Sequence, residues 1–377
     1  MKVEVAGIGC IRAGERWDKS ARDLFKEASA KAFEDSGLKS VDLLIASNMA
    51  LPQYTDQNNV GSYLSDDSFP AFRVESACSS GGAALHAAWL AIKSGEYDSV
   101  MVAGVEKMTD RTTQMNTHIL AGASDFEKEA FYGASFVSLN ALIARRYMHE
   151  YKAKEEDLLL FSVNSHKNAL NVPHAFFQKQ VSLEDCLKSP YVSSPLRLLD
   201  CSPVCDGSAA IILTKEGLVK KEEKITLEAS AIGQDTIELA RRPDPLTITA
   251  GARSFKKASA KSGVTVRDID VFEVHDAFSI MAALDLESIG VAEKGKGYKL
   301  AQEGQIALDA DFPVSTSGGL KARGHPVGAT GVYQAYDAVL QLRGQAVHQV
   351  PDAEVALCHN IGGSGSMVAA NIFRRVR

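Results

Sequence analysis

Apolar residues along the first hundred positions follow two alternating rhythms. Residues 2–11 (KVEVAGIGCI) make one short apolar run, which predicts a strand. From 19 to 36, Ala21, Leu24, Phe25, Ala28 and Ala32 recur at helical spacing, and Gly37 stops them. VDLLIAS at 41–47 is again a strand pattern. Phe72-Arg73-Val74 then leads into a turn of tiny residues, and good helix formers run from Ala83 to Lys93. DSVMVAGV at 98–105 is another buried strand. Apolar strands alternating with helices predict an α/β fold with a largely parallel, covered sheet.

The second half of the chain repeats this plan. KITLEASAIG at 224–233 matches the opening strand, and FKKASAK at 255–261 matches FKEASAK at 25–31. A Ser-Gly follows each, then an Asp-led apolar strand: DLLIASN at 42–48 and DVFEVHD at 270–276. GHPVGATGVYQAYDAVLQL at 324–342 is once more a glycine-containing turn running into a long helix, and residues 354–358 open the matching last strand. The order of elements agrees as well as the letters, so two related α/β halves are expected. Between them, about 108–223 breaks the period with Gly, Asn, Ser and Pro clusters and helices near 135–151 and 154–170. CSPVCDGSAAIILT at 201–214 then re-enters the core. The expected division is 1–107 with 201–223 as the first half, 108–200 as an insertion that builds a substrate-binding lid, and 224–377 as the second half.

Composition narrows the class. With 45% hydrophobic and 23% charged residues among 377, the chain reads as an ordinary globular protein. A net charge of −6 disfavours nonspecific nucleic-acid binding, while leaving room for a local basic patch. Six cysteines at 10, 78, 186, 201, 205 and 358 form no CxxC pair and complete no zinc pattern, so neither a metal nor a disulfide framework is expected, and a reduced cytosol is the simplest compartment. The N-terminus reads as a strand rather than a signal peptide, and no stretch approaches the ~20 apolar residues of a membrane helix.

The candidate chemistry lies where strands meet turns. Cys78 falls in VESACSSGGAALHAAWLAIKS (74–94), at a strand-to-helix turn. Backbone N–H groups and the helix dipole there would favour thiolate, and Ser79, Ser80, Gly81 and Gly82 leave room for a bulky substrate. His325 sits between Gly324 and Pro326, a rigid setting for a base that activates a cysteine. His275 ends an apolar strand and would donate to a developing oxyanion. In HNIGGSGS (359–366), Gly362 and Gly363 follow a strand with unhindered N–H groups, and one of them, with the N–H of Cys78, would hold a thioester oxyanion. Ligands of an open α/β sheet sit at the carboxyl ends of its strands, and two halves placed face to face would bring these stretches together.

These motifs carry a family resemblance over essentially the whole chain. ESACSSGGAALHAAWLAIKSG followed by VMVAGVEKMT resembles the reactive-cysteine segment of thiolases. CDGSAAIIL resembles their Asp-Gly-Ala-Ala strand, and STSGGLKARGHPVGATG their Gly-His-Pro block. HDAF stands where most thiolases have Asn-Glu-Ala-Phe, which with HNIGGSGS is most similar to the archaeal and sterol-carrier-protein types. The resemblance implies two duplicated halves in a layered α-β-α-β-α core plus a loop domain, assembled as a homodimer or homotetramer. It implies that Cys78 takes the acyl group and that His325 activates it and later binds the thioester oxygen of the second substrate. His275 would fill the oxyanion role usually held by Asn, with Cys78 and Gly362 forming the acyl-enzyme's oxyanion hole. Coenzyme A would be substrate and product, with no permanent cofactor. Arg241, Arg242, Lys256 and Lys257 lie near the expected CoA loop region. The archaeal type further implies a complex with a hydroxymethylglutaryl-CoA synthase and a small OB-fold protein, feeding mevalonate.

One departure stands out. Most thiolases carry a second, acid/base cysteine in a late Cys-x-Gly motif, where this chain has Asn360-Ile361-Gly362. Sterol-carrier types place it within His-Asp-Cys-Phe, where this chain has Ala277. Cys358, two residues before Asn360 and on the same strand face, is the nearest thiol in sequence at about 6.6 Å of strand rise. The leading expectation is formation or cleavage of 3-ketoacyl-CoA, with two acetyl-CoA giving acetoacetyl-CoA and CoA as the simplest case. A decarboxylating ketoacyl synthase, which uses a Cys-His-His set, and a non-catalytic CoA-binding scaffold are the alternatives.

Overall fold

The computed structural model describes residues 1–65, 69–221 and 223–376. Residues 66–68, Glu222 and Arg377, which fall within the two expected halves, lie outside the described residues. Nine strands form one ribbon. They are β1 Val3–Cys10, β2 Leu43–Ser47, β3 Ala71–Val74, β4 Ser99–Glu106, β5 Gly207–Lys215, β6 Lys224–Gln234, β7 Val271–Glu273, β8 Val355–Gly362 and β9 Met367–Val376. Their order is β3-β2-β4-β5-β1-β6-β9-β8-β7. Read outward from the β1–β6 junction, the order of the second half mirrors that of the first. A parallel bridge from Phe272 to Val314 stands where β3 stands in the first half.

The sheet is mixed, which corrects the expectation of a largely parallel one. Only β3-β2-β4 and β8-β7 are parallel; the central pairs, from β4–β5 through β1–β6 to β9–β8, run antiparallel. The reason is connectivity. β5 returns from the insertion against the direction of β1 and β4, and β8 turns back directly into β9. Burial of both faces does hold: every residue of β4 is buried.

Alternation along the strands sorts side chains into layers. In β4, Val100 and Val102 join one apolar cluster while Met101, Ala103 and Val105 join another. The first cluster also takes residues from the helices Ser80–Lys93 and Thr330–Leu342 and from strands of both halves, so these two helices form the central layer. The outer face of the first half is covered by the helix Ala21–Ser36. That of the second is covered by the helices Thr249–Ser262 and Ser279–Ile289. The sequence of layers is α-β-α-β-α.

The repeated FK-x-ASAK helices explain themselves locally. Ser20 and Asp23 form a capping box at the start of the first, and Gly37 at φ 72° ends it. Gly263, also at φ 72°, ends its counterpart. The insertion contributes the helices Thr113–Ala121, Phe136–Tyr151 and Glu155–Asn168.

Candidate active site

The two central helices begin almost on top of each other. A methyl group on Gly331 would collide with the Gly82 N–H and with Asn360 Oδ1, and one on Gly81 would lie 2.8 Å from the Gly331 nitrogen. Only glycine permits this approach. The residues just before the two helices, Cys78 and His325, are thereby brought face to face. Ala77, with φ 49°, makes the turn that places Cys78.

The sulfur of Cys78 and one ring nitrogen each of His275 and His325 lie within 4.8 Å of one another. The two imidazoles meet edge to face with centroids 5.3 Å apart. Cys78, His275 and His325 are 2%, 2% and 7% exposed. His325 Nδ1 sits 2.6 Å from Thr330 Oγ1, and His275 Nδ1 sits 3.3 Å from Asn360 Nδ2. Each ring therefore has Nε2 left for the centre. Among the described residues this is the one cluster of three metal-capable side chains. Two backbone N–H groups are also aimed at the sulfur, an arrangement that suits an anion on the substrate rather than a coordinated cation.

Those two donors are Cys78 itself and Gly363. This corrects the assignment to Gly362. The β8 strand runs through Gly362, whose carbonyl accepts from Ser366 N at 3.1 Å, while the N–H of Gly363, the first residue past the strand, is the one at the Cys78 sulfur. Burial, then the Glu106 carboxylate, pushes the Cys78 thiol up to about 12 against these donors. The expected lowering of the thiol is thus overturned, because desolvation outweighs the helix terminus. Burial, and then the Arg323 charge, pushes His325 down to about 3. Burial, His325, His359 and Arg323 hold His275 well below the usual histidine range. The resting centre is a neutral thiol beside two neutral imidazoles.

A mainly apolar cavity of about 310 Å³ opens onto Cys78 and His325. The insertion lines it with Met108, Leu120 and Phe136, and the HDAF segment adds Ala277 and Phe278. Cys201 also lines it; its thiol donates to Arg197 O at 3.4 Å. Cys358 does not. It faces the central layer as Asn360 does, but sits deeper, in the cluster with Val332 and Val339, and burial followed by Glu273 and Asp337 raises its thiol far above the usual range. Its place among site-lining residues is therefore withdrawn.

The four basic residues do not converge. Arg242 is turned inward, with Nε on Thr236 O at 3.0 Å and Nη1 on Ser364 O at 2.5 Å, so it braces the glycine turn beside Gly363 and is not free for a phosphate. Arg241 is exposed beside Glu238, and Lys256 and Lys257 are exposed on their helix. Sequence reasoning missed Glu106. This buried carboxylate accepts from Met49 N, Ala50 N, Asn48 Nδ2 and Gly328 N, tying the loop after β2 to the turn that carries His325. Its signal was a lone acid closing an apolar strand.

The model of the thiolase N-terminal domain matches residues 5–217, and that of the thiolase C-terminal domain-like family matches 231–375. The chain belongs to the thiolase family. It is 44% identical to an acetyl-CoA acetyltransferase of Methanothermobacter thermautotrophicus, over 99% of both chains. It is 30% identical to human sterol carrier protein 2, covering 97% of this chain and 71% of that one. Among solved structures, the Ltp2-ChsH2(DUF35) aldolase superposes with a TM-score of 0.85 at 22% identity, over 99% of this thiolase chain and 97% of the other, a likeness of fold. No described helix of this thiolase is long and apolar enough to cross a membrane.

Proposed function

We propose that the protein is an acyl-CoA C-acetyltransferase that forms or cleaves 3-ketoacyl-CoA through an acyl-Cys78 intermediate, with acetyl-CoA and acetoacetyl-CoA as the simplest pair. The observation that carries this is the meeting of Cys78, His325 and His275 at the two central helix N-termini, above an apolar cavity. His325 Nε2 takes the Cys78 proton as the sulfur attacks the thioester carbonyl. The bond from that carbon to the CoA sulfur breaks, and His325 returns the proton to the leaving thiol. Donors from Cys78 N and Gly363 N stabilise the oxyanion. In the second half-reaction the α-carbon of acetyl-CoA attacks the acyl carbonyl and releases Cys78. The helix N-termini favour the negative charge that develops.

The finer readings belong here too. The 108–200 segment acts as the substrate-binding insertion between halves 1–107 with 201–223 and 224–377, supported by its share of the cavity wall. Exposed Arg241, Lys256 and Lys257 remain the candidates for the CoA phosphates. The open edge strand β3, with Phe72 45% exposed, offers backbone groups to a second copy, in keeping with a dimer or tetramer. Complex formation with a hydroxymethylglutaryl-CoA synthase and a small OB-fold protein, in the cytoplasm and toward mevalonate, follows from the archaeal likeness. The aldolase solved with a DUF35 partner is in keeping with a small companion.

The Cys-His-His set and Ala277 favour one second reading, a decarboxylating ketoacyl synthase. CoA-dependent loss of acetoacetyl-CoA separates the two. Turnover is expected, and it is expected to survive Cys358→Ala. CO2 release from malonyl-CoA without thiolysis would replace the proposal with the synthase.

A further inference from the structure

We propose that Asn360 and Thr330 lock the two site histidines in opposite neutral tautomers, so that His325 is the single base for both half-reactions and His275 is an N–H donor only. The naming of half-reactions rests on the function proposed above; the tautomers rest on hydrogen bonds alone.

The orientation of the Asn360 amide is fixed by two backbone groups of opposite kind. Gly82 N, near the start of its helix, can only donate, and it meets Asn360 Oδ1 at 3.0 Å. The carbonyl of Cys78 can only accept, and it meets Asn360 Nδ2 at 3.1 Å. The remaining proton of Nδ2 faces His275 Nδ1 at 3.3 Å. An amide nitrogen has only protons to offer, so Nδ1 accepts and the neutral ring carries its proton on Nε2. The close approach of Gly331 keeps the amide from swinging away.

His325 is held the other way. Thr330 Oγ1 donates its one proton to Pro326 O at 3.3 Å. With that proton on Pro326 O, the hydroxyl accepts at 2.6 Å from His325 Nδ1–H, the arrangement proposed here, in which the ring carries its proton on Nδ1 and leaves Nε2 bare.

The consequence concerns the missing second cysteine. His275, bare only where Asn360 covers it, has no lone pair for the substrate. Cys201, the other thiol on the cavity, is pushed up to about 12 by burial and spends its proton on Arg197 O. His325 Nε2 removes the α-proton of acetyl-CoA, and the carbon–carbon bond forms at the acyl carbonyl. The carbon–sulfur bond to Cys78 breaks, and the same proton returns from His325 to that sulfur. The proton taken equals the proton returned, so one base closes the cycle. The His275 Nε2–H holds the enolate oxygen. Asn360, at the position of the usual second cysteine, is a positioning residue.

The test is nitrogen-15 NMR of the full-length protein with labelled histidine, assigned with His275→Gln and His325→Gln. His275 is expected to show a protonated Nε2 and a bare Nδ1, and His325 the reverse. A shared tautomer, or a proton on His275 Nδ1, overturns the proposal. In Asn360→Asp the facing oxygen accepts, so His275 flips. Condensation is expected to fall about 100-fold while acetylation of Cys78 persists. Unchanged condensation with a flipped ring overturns it, and if that variant does not fold the wild-type spectrum still decides. Failure of wild-type Cys78 to take an acetyl group would remove the functional reading while leaving the tautomers standing.

Discussion

At the scale of single residues, burial sets the state of Cys78. The thiol is pushed up to about 12, and His325 is pushed down to about 3. A raised thiol ionises only at higher pH, and a lowered imidazole protonates only at lower pH. Between about pH 5 and pH 9 the pair stays neutral, so single-turnover acetylation of Cys78 is expected to be flat across that window. A tenfold rise per unit that levels off near pH 8.5, the titration of an ordinary thiol, would contradict this. Cys78, His275 and His325 were legible in the sequence because each adjoins a turn whose residue types announce it. Gly363 was not, since residue type does not tell which of two adjacent glycine N–H groups faces the sulfur. Arg242 misled for a related reason: composition shows a cation, while its partners are backbone carbonyls, Thr236 O in its own loop and Ser364 O in a distant one.

At the scale of elements, the site is made by two helices that start at one point. The glycines that allow it are a packing requirement as much as a turn requirement. Gly331→Ala places a methyl against the backbone of Gly82 and against Asn360, neither of which can yield. It is expected to destabilise the protein by about 1–3 kcal/mol in urea unfolding, and to lower condensation more than acetylation of Cys78. Wild-type stability and turnover in this variant would mean the helices do not meet as described. The doubled helix pattern, FKEASAK and FKKASAK, was legible because caps and spacing repeat with it. The pairing sense of the strands was not. Apolar runs look alike in parallel and antiparallel surroundings, and the partner strand Met367–Val376 gave no turn signal distinct from the glycines already assigned to the site.

At the scale of the whole molecule, duplication supplies the geometry. One half contributes Cys78 and the other His275, His325 and Asn360, and the insertion roofs the cavity with Met108, Leu120 and Phe136. Glu106 ties the first half to the His325 turn through Gly328 N at 2.9 Å, so the halves are fastened beside the meeting of Cys78 and His325. The central claim is that this junction makes Cys78 an acyl carrier. Its most direct test is the intact mass of the protein after incubation with acetyl-CoA, followed by peptide mapping. A gain of one acetyl group, located on Cys78 and absent in Cys78→Ala, is the predicted result. A folded protein that gains no acetyl group, or carries it on another residue, would contradict the account.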